Sequence, residues 1–167
     1  MAATRQPLTV ADIAEVMAMQ AAAHEPAAIY QAVDKLAQRA IGHNLFTMMR
    51  VYETAMEVER VYSDNPKAYP VGGRKQKQGT PCGRIVLDEG KVFIARNPEE
   101  LKTAFADHAL ILSLGIGSIM NVPISHDGRC LGTMNISNEA NWFTEADAKT
   151  GLVLAGLVVP LIRPMGA

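Results

Sequence analysis

The chain predicts an α+β fold, an antiparallel sheet with helices against one of its faces, and three observations carry that prediction. Two β-type runs, 118–124 and 130–136, flank Asp127-Gly128, a strong hairpin signal. Helical periodicity lies on both sides of them: Ile29, Ala32, Val33, Leu36, Ala37, Ala40 and Ile41 follow the i, i+3, i+4, i+7 rule, and a long apolar run follows the helix-start signal at Thr144. The hairpin also sorts by parity. Even positions hold Ser118, Met120, Val122, Ile124, Cys130, Gly132, Met134 and Ile136; odd positions hold Ile119, Asn121, Pro123, Leu131, Thr133, Asn135 and Ser137.

Side chains alternate across a sheet, so one face is greasy and the other carries hydrogen-bonding groups among apolar ones. The two strands agree about their faces only if odd positions pair with odd. A two-residue loop at Asp127-Gly128 pairs odd with even, whereas a type I turn with Gly128 left-handed in a G1 bulge pairs odd with odd. The bulged three-residue turn is therefore expected. The even face then meets helices, with Gly132 admitting one closely. The odd face, with Asn121, Thr133, Asn135 and Ser137, needs a different cover, a ligand pocket or a wet, loop-covered surface.

Composition bounds the function. At 167 residues, 49% apolar and 20% charged, the chain suits a single domain with a real core. Its organisation is read as N-terminal helices over 1–42, a sheet with an inserted loop and short helices over 43–140, and a C-terminal helix over 141–167. A formal charge of −1 provides no basic field for nucleic acid. The N-terminal residues lack the apolar core of a signal peptide, and the longest greasy run, 151–162, is shorter than the roughly 20 residues that span a bilayer. Two cysteines, Cys82 and Cys130, make neither a disulfide framework nor a metal cluster, so no metal is expected and a reducing cytoplasm is the default.

In chain order, Thr9 with Asp12 three residues on caps a first helix with a mild stripe of Ile13, Val16, Met17 and Ala21. Glu25-Pro26 ends it and opens the second helix, which stops at Gly42-His43-Asn44. A further hairpin is expected over 45–52 and 56–63. In its later strand Met56, Val58, Arg60 and Tyr62 alternate with Glu57, Glu59 and Val61, so the glutamates face water and Arg60 and Tyr62 share the protected side. Residues 64–80 read as a long connection containing Tyr69, Gly72-Gly73, Arg74, Lys75 and Lys77. Its backbone amides with Arg74 or Lys75 suit a carboxylate or phosphate, although the spacing is not that of a P-loop.

Thr80-Pro81 starts a short helix to about Glu89, with Cys82 where the helix dipole and Arg84 favour a thiolate. Residues 91–95 form a short strand, Asn97-Pro98 opens a helical turn, and 106–114 makes a second short helix carrying Asp107 and His108. The last helix is apolar almost all round, with Pro160 kinking or ending it late. Its outer side needs a partner, the first helix or a second copy of the chain.

The runs Gly115-Ile116-Gly117-Ser118-Ile119-Met120-Asn121-Val122-Pro123-Ile124 and Asp127-Gly128-Arg129-Cys130-Leu131-Gly132-Thr133-Met134-Asn135-Ile136, followed by Trp142-Phe143-Thr144, resemble the C-terminal half of a GAF domain. The element order from about residue 26 to 163 fits the rest. The resemblance implies about five or six strands, terminal helices on one face, and short helices and loops over a pocket on the other. It implies a sensory or regulatory small-molecule-binding module whose ligand, an anionic or aromatic metabolite, the sequence does not name. Asn121, Thr133, Asn135 and Ser137 would form the pocket floor, with Arg60, Tyr62, Tyr69, Arg74, Asp107 and His108 closing around the ligand.

No cofactor is expected, haem on His108 being the alternative that the family raises. Terminal helices of GAF domains often pair, which implies a homodimer. The competing reading is a small enzyme on the same fold, with redox or hydrolytic chemistry from Cys82, His108 and Asp107. The family's precedent, reduction of free methionine sulfoxide, relies on several cysteines, and here Cys130 falls on the greasy side. Neither a Ser-His-Asp order nor His-Glu-x-x-His is found, so the sequence favours binding over catalysis.

Overall fold

The Thr9 capping box closes as its spacing predicts: the Thr9 hydroxyl accepts from the Asp12 amide (3.2 Å) while the Asp12 carboxylate accepts from the Thr9 amide (2.8 Å), starting α1, Val10–Ala21. The structure, a computed structural model, describes residues 4–22, 24–55, 57–76 and 79–162. The first three residues, Met56, Lys77 and the expected helix beyond 162 lie outside the described residues. Helix α2, Pro26–Ala40, begins with its proline in the first turn and is followed by Gly42 at φ 82°.

Strands β1 (Leu45–Tyr52), β2 (Glu57–Ser63), β3 (Arg74–Gln76), β4 (Phe93–Ala95), β5 (Ser118–His126) and β6 (Arg129–Asn138) form one antiparallel sheet in the order β3-β2-β1-β6-β5-β4. Between them come α3 (Pro81–Gly83), running into a π-helical turn at Arg84–Asp88, then α4 (Pro98–Ala104) and α5 (His108–Ser113); α6 is Glu145–Ile162 and continues through Pro160. Strand β3 corrects the long structureless connection expected over 64–80. It adds an edge to β2 through Glu57↔Gln76, Val58↔Lys75 and Glu59↔Arg74, and Arg74–Glu59 and Gln76–Glu57 side-chain bonds cross that pair.

The central hairpin keeps the expected faces by another device. Asp127 (φ 52°) and Gly128 (φ 72°) are both left-handed, a two-residue type I′ turn in place of the three-residue turn. Parity is restored inside the strands: Ser125 pairs with Cys130 but Ile124 with Gly132, so Leu131 is the extra residue of a β-bulge. Beyond it Pro123 faces Thr133, Asn121 faces Asn135 and Ile119 faces Ser137. Gly132 makes room first for a strand, because a Cβ there would collide with the Met49 carbonyl; the Ile162 side chain of α6 comes next, at 3.1 Å.

A second bulge separates two residues expected together. Met48 pairs with Tyr62 but Met49 with Arg60, so Val61 is the extra residue. Arg60 therefore stands beside Met49 on the odd face, while Tyr62 joins the helix-facing layer, its ring 6.0 Å from Tyr30 and 6.1 Å from Phe46.

Met120, Val122, Ile124, Met134 and Ile136 on the even face are fully buried against Val33 and Ala37 of α2 and Leu154, Ala155, Val158 and Ile162 of α6. Each large side chain in that layer is worth roughly 1.5–3 kcal/mol. The Trp142 indole N–H donates to the Ile41 carbonyl (2.9 Å) and ties the end of α2 to the start of α6. On the odd face a smaller cluster of Leu45, Ala95, Leu101, Ile111, Ile116 and Ile119 anchors α4 and α5 over the sheet. Helix α6 still exposes Leu152 (48%) and Val153 (46%).

Candidate functional site

The odd face of the central strands becomes the floor of a hollow. Antiparallel pairing of β1 with β6 sets Leu45 against Ser137, Thr47 against Asn135 and Met49 against Thr133, so the odd parity continues across the sheet. Over that floor lie Arg60, Tyr69, Lys75, Phe105, Asp107 and Ile111, which with Leu45, Thr47, Met49, Ile119, Asn121, Asn135 and Ser137 enclose a cavity of about 40 Å³. A water needs roughly 10–15 Å³ of such space, so the hollow has room for only a few atoms.

The floor is ordered by a run of hydrogen bonds. The Cys82 thiol donates to Asn121 Oδ1 (3.2 Å), Asn121 Nδ2 to Asn135 Oδ1 (2.5 Å), and Asn135 Nδ2 to Thr47 Oγ1 (3.1 Å). The direction is consistent throughout and leaves the Thr47 hydroxyl accepting from the network with its own proton to donate. Cys82 itself is 1% exposed.

The roof carries the charge. Tyr69 O–H and Lys75 Nζ both donate to Asp107 Oδ2, at 3.2 and 3.3 Å. Burial opposes ionisation of Asp107, yet the Lys75 ammonium and the Tyr69 hydroxyl together hold its carboxyl below the usual carboxylate range. Burial first, and the Asp107 charge second, push the Tyr69 phenol well up. Lys75 reaches this side because β3 pairs it with Val58, on the face of Arg60.

Arg60 is 6% exposed. Its guanidinium lies 4.8 Å from the Tyr69 ring centroid, Nη1 donates to the Pro70 carbonyl (3.0 Å), and Nε is buried with no hydrogen-bond partner. No described carboxylate forms an ion pair with it; Asp107 is taken by Lys75. Burial lowers its pKa, with Tyr69 and Asp107 working against it through space, and a guanidinium stays protonated.

Of the residues expected at the site, the structure brings together Arg60, Tyr69, Asp107, Asn121, Asn135 and Ser137. Thr133 shares their face outside the lining, its buried hydroxyl without a hydrogen-bond partner. Tyr62 lies on the other face through the Val61 bulge, donating to Asp34 (2.6 Å). Arg74 points away because β3 alternates: it donates to Glu59 (2.9 and 3.1 Å) and lies over the Tyr52 ring. His108 begins α5 with Nδ1 3.0 Å from the Phe105 carbonyl. The hydrogen bonds of Cys82, His108 and Asp107 thus run to different partners. Of the lining residues that the sequence left out, Leu45, Thr47 and Met49 were within reach of the same parity rule once β1 was placed beside β6, whereas Phe105 and Ile111 reach the cavity from outside the sheet.

A second polar cluster lies on the helix side. His43 Nε2 is 2.7 Å from Asp34 Oδ1 and Nδ1 is 3.5 Å from Asp64 Oδ2; the other Asp34 oxygen takes Tyr62, and Asp64 also accepts from the Phe46 amide (2.9 Å). Burial works against the imidazolium, but the two carboxylates prevail and raise the His43 pKa to about 9. These three residues have ligand atoms within 4.8 Å of one another, so the group has the donor set for a metal ion. At neutral pH the imidazolium already pairs with both carboxylates, at 2.7 and 3.5 Å, and a metal would have to displace its proton.

This fold and pocket place the chain in a known class. The sequence profile of the GAF domain matches residues 7–159, and the chain belongs to the GAF domain family, a general sensory and ligand-binding fold. It is similar to the GAF domain of a phosphoenolpyruvate-protein phosphotransferase from Coxiella burnetii (TM-score 0.72, 15% identity, 90% of each chain covered). It is also similar to that of the Acinetobacter phosphotransferase (TM-score 0.71, 12% identity, 92% of this chain and 91% of that one). The free methionine-R-sulfoxide reductase from Neisseria meningitidis, solved in complex with its substrate, matches at TM-score 0.69 and 19% identity over 97% of this chain and 96% of that one. Comparison with curated proteins finds no match. No helix among the described residues is long and apolar enough to cross a membrane.

Proposed function

We propose that this GAF domain is a cytoplasmic sensor that binds a small anionic or aromatic metabolite in the hollow on the odd face and reports through a homodimer. The observation that carries the reading is the polar floor of Thr47, Asn121 and Asn135 facing a cationic roof inside an otherwise apolar enclosure. A few oriented polar groups in an apolar concavity are what a small-ligand site needs. The roof is held by the half-exposed Lys75–Asp107 pair and the Tyr69 hydroxyl, contacts weak enough to exchange for a ligand. Binding would order the β2–β3 connection and favour one arrangement of the dimer. The Neisseria reductase, with its substrate bound, supports the capacity of this architecture for a small molecule. An enzyme built on Cys82, His108 and Asp107 is the weaker reading, since their hydrogen bonds diverge.

Native mass spectrometry of the protein as purified, with a thermal-shift panel of aromatic acids, nucleotides, small anions and haem, tests this. A retained mass or a rise in melting temperature of the size RT ln(1 + [L]/Kd) is expected; neither, across the panel, overturns it. The dimer reading rests on the exposed Leu152 and Val153 of α6 and the exposed Met17 of α1. Leu152→Glu with Val153→Glu should convert a dimer to a monomer in light scattering, and a wild type that is already monomeric removes that part.

A further inference from the structure

Taking the pocket reading as its premise, we infer that the ligand is a small monocarboxylate whose carboxylate pairs with Arg60. The cavity is lined by three formal charges, Arg60, Lys75 and Asp107. Asp107 is already satisfied by Lys75 and Tyr69, so the charge left over is the guanidinium. Arg60 is 6% exposed, meets one carbonyl, Pro70, and keeps a buried Nε with no partner. A buried cation of this kind is costly unless something supplies the opposite charge; the one carboxylate of the lining, Asp107, acts on Arg60 through space but is paired with Lys75, so the two cations outnumber it by one.

The shape of the group selects the ligand. The guanidinium lies over the Tyr69 ring, 4.8 Å from its centroid, and a planar fork of N–H donors matches a carboxylate in two parallel hydrogen bonds. The floor agrees in sign, because its run of hydrogen bonds ends at a Thr47 hydroxyl with a proton to give. One unmatched positive charge calls for one negative charge, so a phosphate dianion or a dicarboxylate would bring a charge without a counterpart. Leu45, Met49, Phe105, Ile111 and Ile119 complete the wall and offer a hydrocarbon tail its surroundings. About 40 Å³ limits that tail to a few carbons unless the roof lifts.

The test pairs each acid with its uncharged isostere: propionate with propionamide, butyrate with butyramide, benzoate with benzamide, alongside succinate and inorganic phosphate, in thermal shift and calorimetry. At least one monocarboxylate should bind tenfold or more tightly than its amide, and Arg60→Met should abolish that binding. Arg60→Lys should restore part of it, since lysine keeps the charge but not the fork. The melting temperature of Arg60→Met without ligand, unchanged or raised, separates lost binding from lost fold. Equal binding of acid and amide, indifference to Arg60→Met, tighter binding of succinate or phosphate, or no response to any acid overturns the inference. A mass retained in native spectrometry under any of those outcomes leaves the pocket reading standing without the carboxylate; no retained mass and no response in the wider panel removes both.

Discussion

Two buried cations sit on opposite faces of one sheet, and the protein treats them in opposite ways. His43, 7% exposed, stands between the carboxylates of Asp34 and Asp64. Arg60, 6% exposed, forms no ion pair with a described carboxylate: Asp107 acts on it only through space, and its near contacts are a carbonyl and the face of an aromatic ring. The difference marks two kinds of role. A charge whose counter-charges come from three separate segments stitches those segments together: Asp34 from α2, His43 from the turn after it, Asp64 from the end of β2. A charge left unmatched inside a hollow stores an interaction for something that arrives later. Both roles hang on one extra residue, since the Val61 bulge sends Tyr62 to the histidine cluster and Arg60 to the pocket.

The largest effect is expected from breaking the matched site. His43→Leu leaves Asp34 and Asp64 without their shared imidazolium and should cost about 3 kcal/mol or more in urea unfolding, by the rule for removing one partner of a buried ion pair. Titrating the same site gives a second, graded readout. A pKa raised from 6.5 to about 9 means that the folded state holds the proton more tightly. Its stabilisation is therefore full below pH 6.5 and is lost as the pH rises to 9, with an upper bound of about 3 kcal/mol. Melting temperature should fall across that window in the wild type and stay level in His43→Leu. A wild-type profile that is flat from pH 6.5 to 9 would show that the imidazolium is not held as the geometry indicates.

How much of this was legible in the sequence depends on whether a feature was local. Caps were: Thr9 with Asp12, Thr80 bonding the Gly83 amide, and Thr144 with Asp147 all sit where their spacings put them. The two faces of the central hairpin were legible too, because burying Met120, Val122, Met134 and Ile136 on one side leaves the register no other choice. The means of reaching that register were not. Asp127-Gly128 forms the two-residue turn its composition favours, and the Leu131 bulge absorbs the mismatch. Bulges at Leu131 and Val61 carry no residue signature, and the second moves Tyr62 to the side opposite the one its parity predicts. In the same way a three-residue edge strand chose Lys75 over Arg74 for the pocket. The histidine cluster was hidden because its members meet only through tertiary packing, and His43 reads in the sequence as part of a helix stop.

Smaller effects sharpen the contrast from the pocket side. Arg60→Met removes an unmatched buried charge and replaces it with an apolar side chain of similar length. The unliganded protein should gain about 1 kcal/mol, following the behaviour of buried charges replaced by apolar residues, while losing its capacity for the acid. A loss of stability of the same size would mean that the Pro70 carbonyl and the Tyr69 ring already match the guanidinium.

The smallest effect comes from Tyr62→Phe, two residues further along the same strand. It deletes the 2.6 Å hydrogen bond to Asp34 and leaves the ring packed between Tyr30 and Phe46, so about 1 kcal/mol of stability should go. Acid binding should not change, because the phenol lies on the far side of the sheet from the cavity. Together the two substitutions dissociate stability from binding within three consecutive positions: the first alters binding while the fold is kept, the second alters the fold while binding is kept. If Tyr62→Phe weakened the acid as much as it weakened the fold, the two faces would be coupled through the Val61 bulge. The unmatched arginine and the matched histidine would then be two ends of one device.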